Sequence, residues 1–154
     1  MGRITTRVVC SAPLEKLYRM GHEVHTFKDV FPNLKDIRVI EKSDDGRYLK
    51  ARWTAQAKLI VNKREMTWVQ EDRWDDETKT CHFCCASDGR GQFKYMNGTW
   101  AFKPHPQGAE MIMDVDFAID HPLINPMIAK IIDGVMKKNN ESLLTGLKRK
   151  AERG

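Results

Sequence analysis

Five residues at alternate positions, Met66, Trp68, Gln70, Asp72 and Trp74, set a carboxylate and an amide among large apolar side chains. A period of two is that of a β-strand, so these five share one face while Thr67, Val69, Glu71 and Arg73 share the other. A carboxylate held against Trp68 and Trp74 loses hydration, its pKa rises, and it becomes a candidate general base. The simpler reading pairs Asp72 with a nearby Lys or Arg at the rim of the sheet. Two further segments carry similar faces: Met111, Met113, Val115 and Phe117 alternate in one, and Met96, Gly98, Trp100 and Phe102 in the other. Met and Trp suit a filled core. They also suit an apolar cavity with a few placed polar groups, as small-molecule sites are built. The pattern leaves both open.

Metal chemistry is the other possibility that the residue types raise. Cys81-His82-Phe83-Cys84-Cys85 lies in a strand-like stretch, where Cys81 and Cys85 share one face and His82 and Cys84 the other. Zinc ligands converge instead from paired turns. His22 and His25 are one residue short of the i, i+4 spacing of zinc proteases. No metal site is expected, and the four cysteines read as buried or half-buried free thiols.

The elements that must position these residues follow from periodicity and turn chemistry. Residues 3–10 alternate as a strand. Ser11 is placed to cap a helix with Pro13 in its first turn, Leu14, Leu17 and Tyr18 on its inner face and Gly21 at its end. A second short helix is expected over 23–30. Strands are expected at 37–40, 48–55, 66–74, 80–86, 95–103 and 110–119, separated by Asp-, Gly- and Pro-rich turns; residues 57–62 fit a strand extension or a loop. Short connections in meander order imply an antiparallel sheet. From Pro122 the pattern turns helical, with Ile124, Ile128, Ile131, Val135, Asn139, Leu143 and Leu147 near one stripe. The fold class is therefore α+β: a curved antiparallel sheet of about seven strands, two short helices after the first strand, and a long C-terminal helix across the concave face.

The 154 residues suit one domain over 1–154, and 41% hydrophobic content suits a chain that buries a core. No apolar run approaches the roughly 20 residues of a membrane span, and no signal-peptide core opens the chain, so a cytoplasmic protein is expected. Of the net charge of +5, most lies after residue 136, where Lys137, Lys138, Lys148, Arg149, Lys150 and Arg153 face only Glu141 and Glu152. Bases crowded at a helix end complement its dipole and do not form the basic, aromatic-studded face of a nucleic-acid binder. Weak contact with a membrane surface through that basic end stays open. So does the choice between monomer and homodimer.

The order strand, two short helices, six strands and long helix resembles the START-like helix-grip superfamily (SRPBCC), which includes polyketide cyclases and the birch-pollen-allergen group. The resemblance spans nearly the whole chain. It is carried by Ser11-Ala12-Pro13 through Tyr18, by Trp68 ahead of Trp74-Asp75-Asp76, and by Gly91-Gln92-Phe93-Lys94-Tyr95-Met96-Asn97-Gly98-Thr99-Trp100. Asp116-Phe117 and Asn139-Asn140-Glu141-Ser142-Leu143-Leu144 complete it. Together they are similar to the polyketide cyclase/dehydrase-like branch. The resemblance implies a deep apolar cavity between sheet and long helix, with Trp68, Phe93, Trp100 and Met113 in its lining. It also implies chemistry in which an inward arginine, with tyrosine, histidine or aspartate, polarises carbonyls and moves protons. Here the arginine's position holds Asp72, with Arg73 on the other face, or Arg73 itself if the alignment shifts by one. The tyrosine's position falls near Leu34 and the histidine's near Val115.

The expected function is therefore binding, and with it transport or presentation, of a hydrophobic small molecule such as a lipid, polyketide, isoprenoid quinone or aromatic compound. No cofactor is expected. The expected lining is Met66, Trp68, Gln70, Phe93, Met96, Trp100, Met113, Val115 and Phe117 from the sheet, with Ile128, Ile131 and Val135 from the helix. The alternative is an aromatase/cyclase or dehydrase with Asp72 or Arg73 as its acid–base group.

Overall fold

The computed structural model describes residues 2–58, 63–119 and 126–153. Strand β1 (Gly2–Cys10) leads through helix α1 (Leu14–His22), a 3-10 turn (Val24–Thr26) and α2 (Phe27–Val30) into β2 (Leu34–Lys42). Then come β3 (Tyr48–Lys58), β4 (Lys63–Asp75), β5 (Thr80–Cys85), β6 (Phe93–His105) and β7 (Gly108–Ile119). Helix α3 (Pro126–Glu152) ends the chain. The seven strands form one sheet in the order β1-β7-β6-β5-β4-β3-β2, every pairing antiparallel. This is the expected α+β arrangement. Among the described residues no helix is long and apolar enough to cross a membrane.

Several boundaries differ from expectation, each for a local reason. Ser11 does not cap α1. Pro13 occupies that position without a side-chain hydrogen bond, and Ser11 gives both its backbone N–H and its hydroxyl to Glu152, at 2.9 and 3.0 Å. Gly21 is the last residue but one of α1, and it packs so closely that a Cβ there would meet Phe102 at 2.9 Å and Trp74 at 3.2 Å. The second helix is split between the 3-10 turn and α2. Strand β6 begins at Phe93 rather than Tyr95, with a register shift between those two residues. Ala57 and Lys58 continue β3 in pairing with Arg64 and Lys63, while 59–62, Pro122 and Ile124 lie outside the described residues.

The bulge in β6 positions the interior. It lets Phe93 and Met96, three residues apart, both point inward, after which the ordinary alternation delivers Trp100 and Phe102 to the same side. The Gly-rich connection ahead of β6 folds back over β4, where Val69 N–H donates to the Gly89 carbonyl at 2.7 Å. Gly91, at a φ of +59°, passes so close to the Thr67 carbonyl that a Cβ would stand 1.9 Å from it.

Helix α3 is buried unevenly. Leu143, Leu144, Gly146, Leu147 and Ala151 are buried, whereas Ile128, Ile131, Val135 and Met136 are only half-buried and Met127 is 67% exposed. The rear of the helix is fastened by polar contacts as well: Lys16 Nζ donates to the Ala151 carbonyl at 2.8 Å, and Lys148 Nζ to the Val9 carbonyl at 3.0 Å and to Glu152 at 3.1 Å. Lys148 is therefore not one of the free bases of the C-terminal end. Arg149, Lys150 and Arg153 remain exposed there.

Candidate functional site

Inward side chains of β3 to β7, capped by α1, α2 and the middle of α3, enclose a cavity of about 90 Å³. Trp53 of β3 and Trp68 of β4 are cross-strand partners whose rings stack at 5.9 Å and 12°. Phe93 meets Trp68 edge-on at 5.5 Å. Phe27 from α2 lies 5.9 Å from Trp53 and 6.2 Å from Trp100. Met96, Met113 and Met136 fill the remaining wall with side chains that change shape at little cost. Among the described residues no Lys, Arg or His lines this space.

The polar part of the wall is a chain along one face of β4. Trp68 Nε1 donates to Gln70 Oε1 at 3.0 Å, and Gln70 Nε2 donates to Asp72 Oδ1 at 2.9 Å. The two neighbours fix which way the Gln70 amide points. Asp72 is 6% exposed, and among the described residues no Lys or Arg pairs with it. The expected rim ion pair is absent because Asp72 faces inward, away from the bases of the outer face. Desolvation raises its pKa from 3.8 to about 6, against a smaller lowering by the Gln70 hydrogen bond. Beside it, burial together with the Asp72 charge pushes the Cys81 thiol far above its usual range, so it stays protonated.

Three other groups on this wall carry unused polarity. The indole N–H groups of Trp53 and Trp100 and the amide nitrogen of Asn140 are buried, and none has a hydrogen-bond partner among the described residues. A buried unpaired donor costs about 1–3 kcal/mol. All three residues border the cavity, but the nitrogens themselves are covered by neighbouring atoms and do not open onto it. Asn139, next to Asn140, lines both the cavity and a wider depression formed with Asn33, Gln56, Ile131, Gly134, Val135 and Lys138. It accepts a 2.8 Å hydrogen bond from Asn33.

Of the residues expected from sequence, Trp68, Gln70, Asp72, Phe93, Met96, Trp100, Met113 and Val115 lie on the cavity wall. Arg73 does not: it is on the opposite face of β4, its guanidinium 5.2 Å from the Tyr48 ring centre and 3.6 Å from Glu71. Phe117 is buried against Phe93, behind the lining, and Met66 packs at the core's edge. Ile131 and Val135 face the outer depression and Ile128 sits half-buried, because it is Ile132 and Met136 that this half of the helix turns to the core. The sequence reading missed Trp53, Phe27 and Asn140. Trp53 had a signal, since Leu49, Ala51, Trp53 and Ala55 alternate inward along β3.

The model of a family described as polyketide cyclase / dehydrase and lipid transport matches residues 1–152. No curated protein matches the chain by sequence. Among solved structures it is similar to TTHA0849 from Thermus thermophilus, with 24% identity and a TM-score of 0.86 over 99% of this chain and 98% of that one. It is also similar to the Zhui aromatase/cyclase from Streptomyces sp. R1128, with 15% identity and a TM-score of 0.85 over 99% and 94%. A START superfamily protein from Mycobacterium smegmatis matches at 15% identity and a TM-score of 0.79 over 98% and 97%. At these identities the structural likeness is one of fold.

Proposed function

Since the chain belongs to the polyketide cyclase / dehydrase and lipid transport family, we propose that it holds a hydrophobic small molecule (a polyketide, lipid, isoprenoid quinone or other aromatic compound) between α3 and the sheet. The observation that carries this reading is the apolar cavity walled by Trp53, Trp68, Phe93 and Trp100 and capped by Met136, Asn139, Asn140 and Leu143 of α3. Its volume of about 90 Å³ is below the roughly 300–1,000 Å³ of ordinary small-molecule pockets. A multi-ring guest therefore needs the methionines of the wall to change rotamer and the half-buried N-terminal part of α3 to shift. Trp68, Phe93, Met96, Trp100, Met113 and Val115 would be the apolar contacts, and Gln70 and Asp72 the polar ones. Native mass spectrometry of freshly purified protein, followed by solvent extraction, tests it. The expected result is a co-purifying apolar species that is lost in Ala55→Leu, whose larger side chain occupies the cavity. A clean unliganded mass, with no stabilisation by fatty acids, quinones or aromatic polyketides, would make the inward Met and Trp residues ordinary packing.

One observation favours a catalytic reading in the same space. Asp72 faces the cavity without a counter-ion and with a pKa near 6, so it can take a proton from an acidic carbon or hydroxyl and return it. On this reading Asp72→Asn still binds a carbonyl-bearing ligand without hydroxyl groups but abolishes turnover of a poly-carbonyl model substrate. The wild-type rate rises with pH through about 6 as Asp72 ionises. A mutant with undiminished turnover removes Asp72 from the chemistry.

A further inference from the structure

The cavity wall carries one charge and nothing to balance it. Asp72 and Cys81 are the titratable side chains that line it among the described residues. Burial holds Cys81 as a neutral thiol, whereas Asp72, with a pKa of about 6, is ionised at neutral pH. Its Oδ1 accepts from Gln70, whose own Oε1 accepts from Trp68, and Oδ2 accepts no hydrogen bond from any described residue. The carboxylate's surroundings are aromatic and aliphatic. Phe83 and Leu49 lie directly opposite it on the two flanking strands, and Phe27, Trp53, Trp68, Phe93 and Trp100 line the same space. Aromatic rings attract a cation, and more strongly where water is excluded. Asp72 has already given up its water on folding. A cationic guest therefore brings only its own desolvation, set against a charge that has no other partner.

We propose that the guest this cavity takes best is a hydrophobic amine carried as a tertiary ammonium. Its single N–H donates to Asp72 Oδ2, and its N-alkyl groups and hydrocarbon body rest against the rings. A primary ammonium brings three N–H groups to the one free carboxylate oxygen, and those left unmet in a buried site weaken it. This rests on the reading of the cavity as a ligand site, and it adds the sign of the guest's charge and the substitution of its nitrogen.

Calorimetric titration with three probes that share a phenyl–carbon–nitrogen skeleton tests it: N,N-dimethylbenzylamine, benzylamine and the uncharged N,N-dimethylbenzamide. At pH 7 the tertiary amine should bind roughly tenfold or more tightly than the amide, with benzylamine between them. Its affinity should fall roughly tenfold from pH 7 to pH 5, as Asp72 takes up a proton while the amine keeps its own. The amide should show no such fall. Asp72→Asn should abolish the preference for the amine, and the pH series on the wild type carries the same information should that variant fail to fold. An amide that binds as tightly as the tertiary amine at pH 7 overturns the proposal. So does benzylamine binding more tightly than its dimethyl analogue. The amide bound and both amines excluded leaves the cavity reading standing and removes this one. If no probe binds, this inference falls, and the cavity reading is then decided by the co-purification experiment alone.

Discussion

Asp72 shapes stability as well as chemistry. Its carboxyl titrates at 3.8 when the chain is unfolded and at about 6 when folded, so the two states bind protons differently between those values. Below about pH 3 both forms are protonated and the residue costs nothing. As pH rises toward 6 the unfolded chain ionises first, and the folded state loses about 3 kcal/mol relative to it, a loss that persists above. Asp72→Asn, which keeps the acceptor for Gln70, should therefore raise unfolding free energy by about 1–3 kcal/mol near pH 8 and by almost nothing near pH 3. Denaturant titrations at the two pH values check this; an equal gain at both would mean that ionisation is not the cause. The strand period alone was enough to put Asp72 and Arg73 on opposite faces. It could not tell whether Asp72 would find a cation, since that depends on which bases the curved sheet brings near. It could not show the bonds through Gln70 either, because side-chain torsions decide them.

The long helix contains two glycines, and their surroundings make opposite demands. A Cβ on Gly146 would stand 2.1 Å from the Val30 carbonyl, where α2 crosses α3, and backbone cannot step aside cheaply. A Cβ on Gly134 would meet nothing within 4 Å. Gly146→Ala should thus destabilise by about 2 kcal/mol or more, while Gly134→Ala should stabilise by roughly 0.5–1 kcal/mol through helix propensity alone. Thermal unfolding of the two variants reads the contrast directly, and equal effects would refute the account. In the sequence both glycines look like the same weak point, since spacing carries no information about the neighbour. The β6 bulge was hidden for a similar reason. Phe93 and Met96 are out of phase in any strict alternation, and pairing with β7 is what resolves them.

The architecture as a whole was legible because meander order, short turns and one late amphipathic stretch leave few ways to bury the apolar faces. The cavity's volume was not, because it is the small remainder after curvature and rotamers are set. Net charge was equally deceptive, since Lys148 counts in the basic end yet spends its ammonium on Val9 and Glu152. Lys148→Glu should therefore lower the unfolding midpoint. Arg149→Glu with Lys150→Glu should leave it unchanged and remove whatever binding to anionic vesicles the wild type has, at about 1 kcal/mol per base. Vesicle sedimentation beside thermal unfolding distinguishes the two, and a vesicle loss confined to Lys148→Glu would place the membrane contact elsewhere. Finally, the floor of the cavity bears on what kind of guest can be tolerated. Cys81 sits beside Asp72 as a thiol held protonated and out of water, and only the thiolate attacks electrophiles. On the proposed binding reading, an enone or other soft electrophile held against this floor would meet a thiol and not a thiolate, and Cys81 would stay unalkylated.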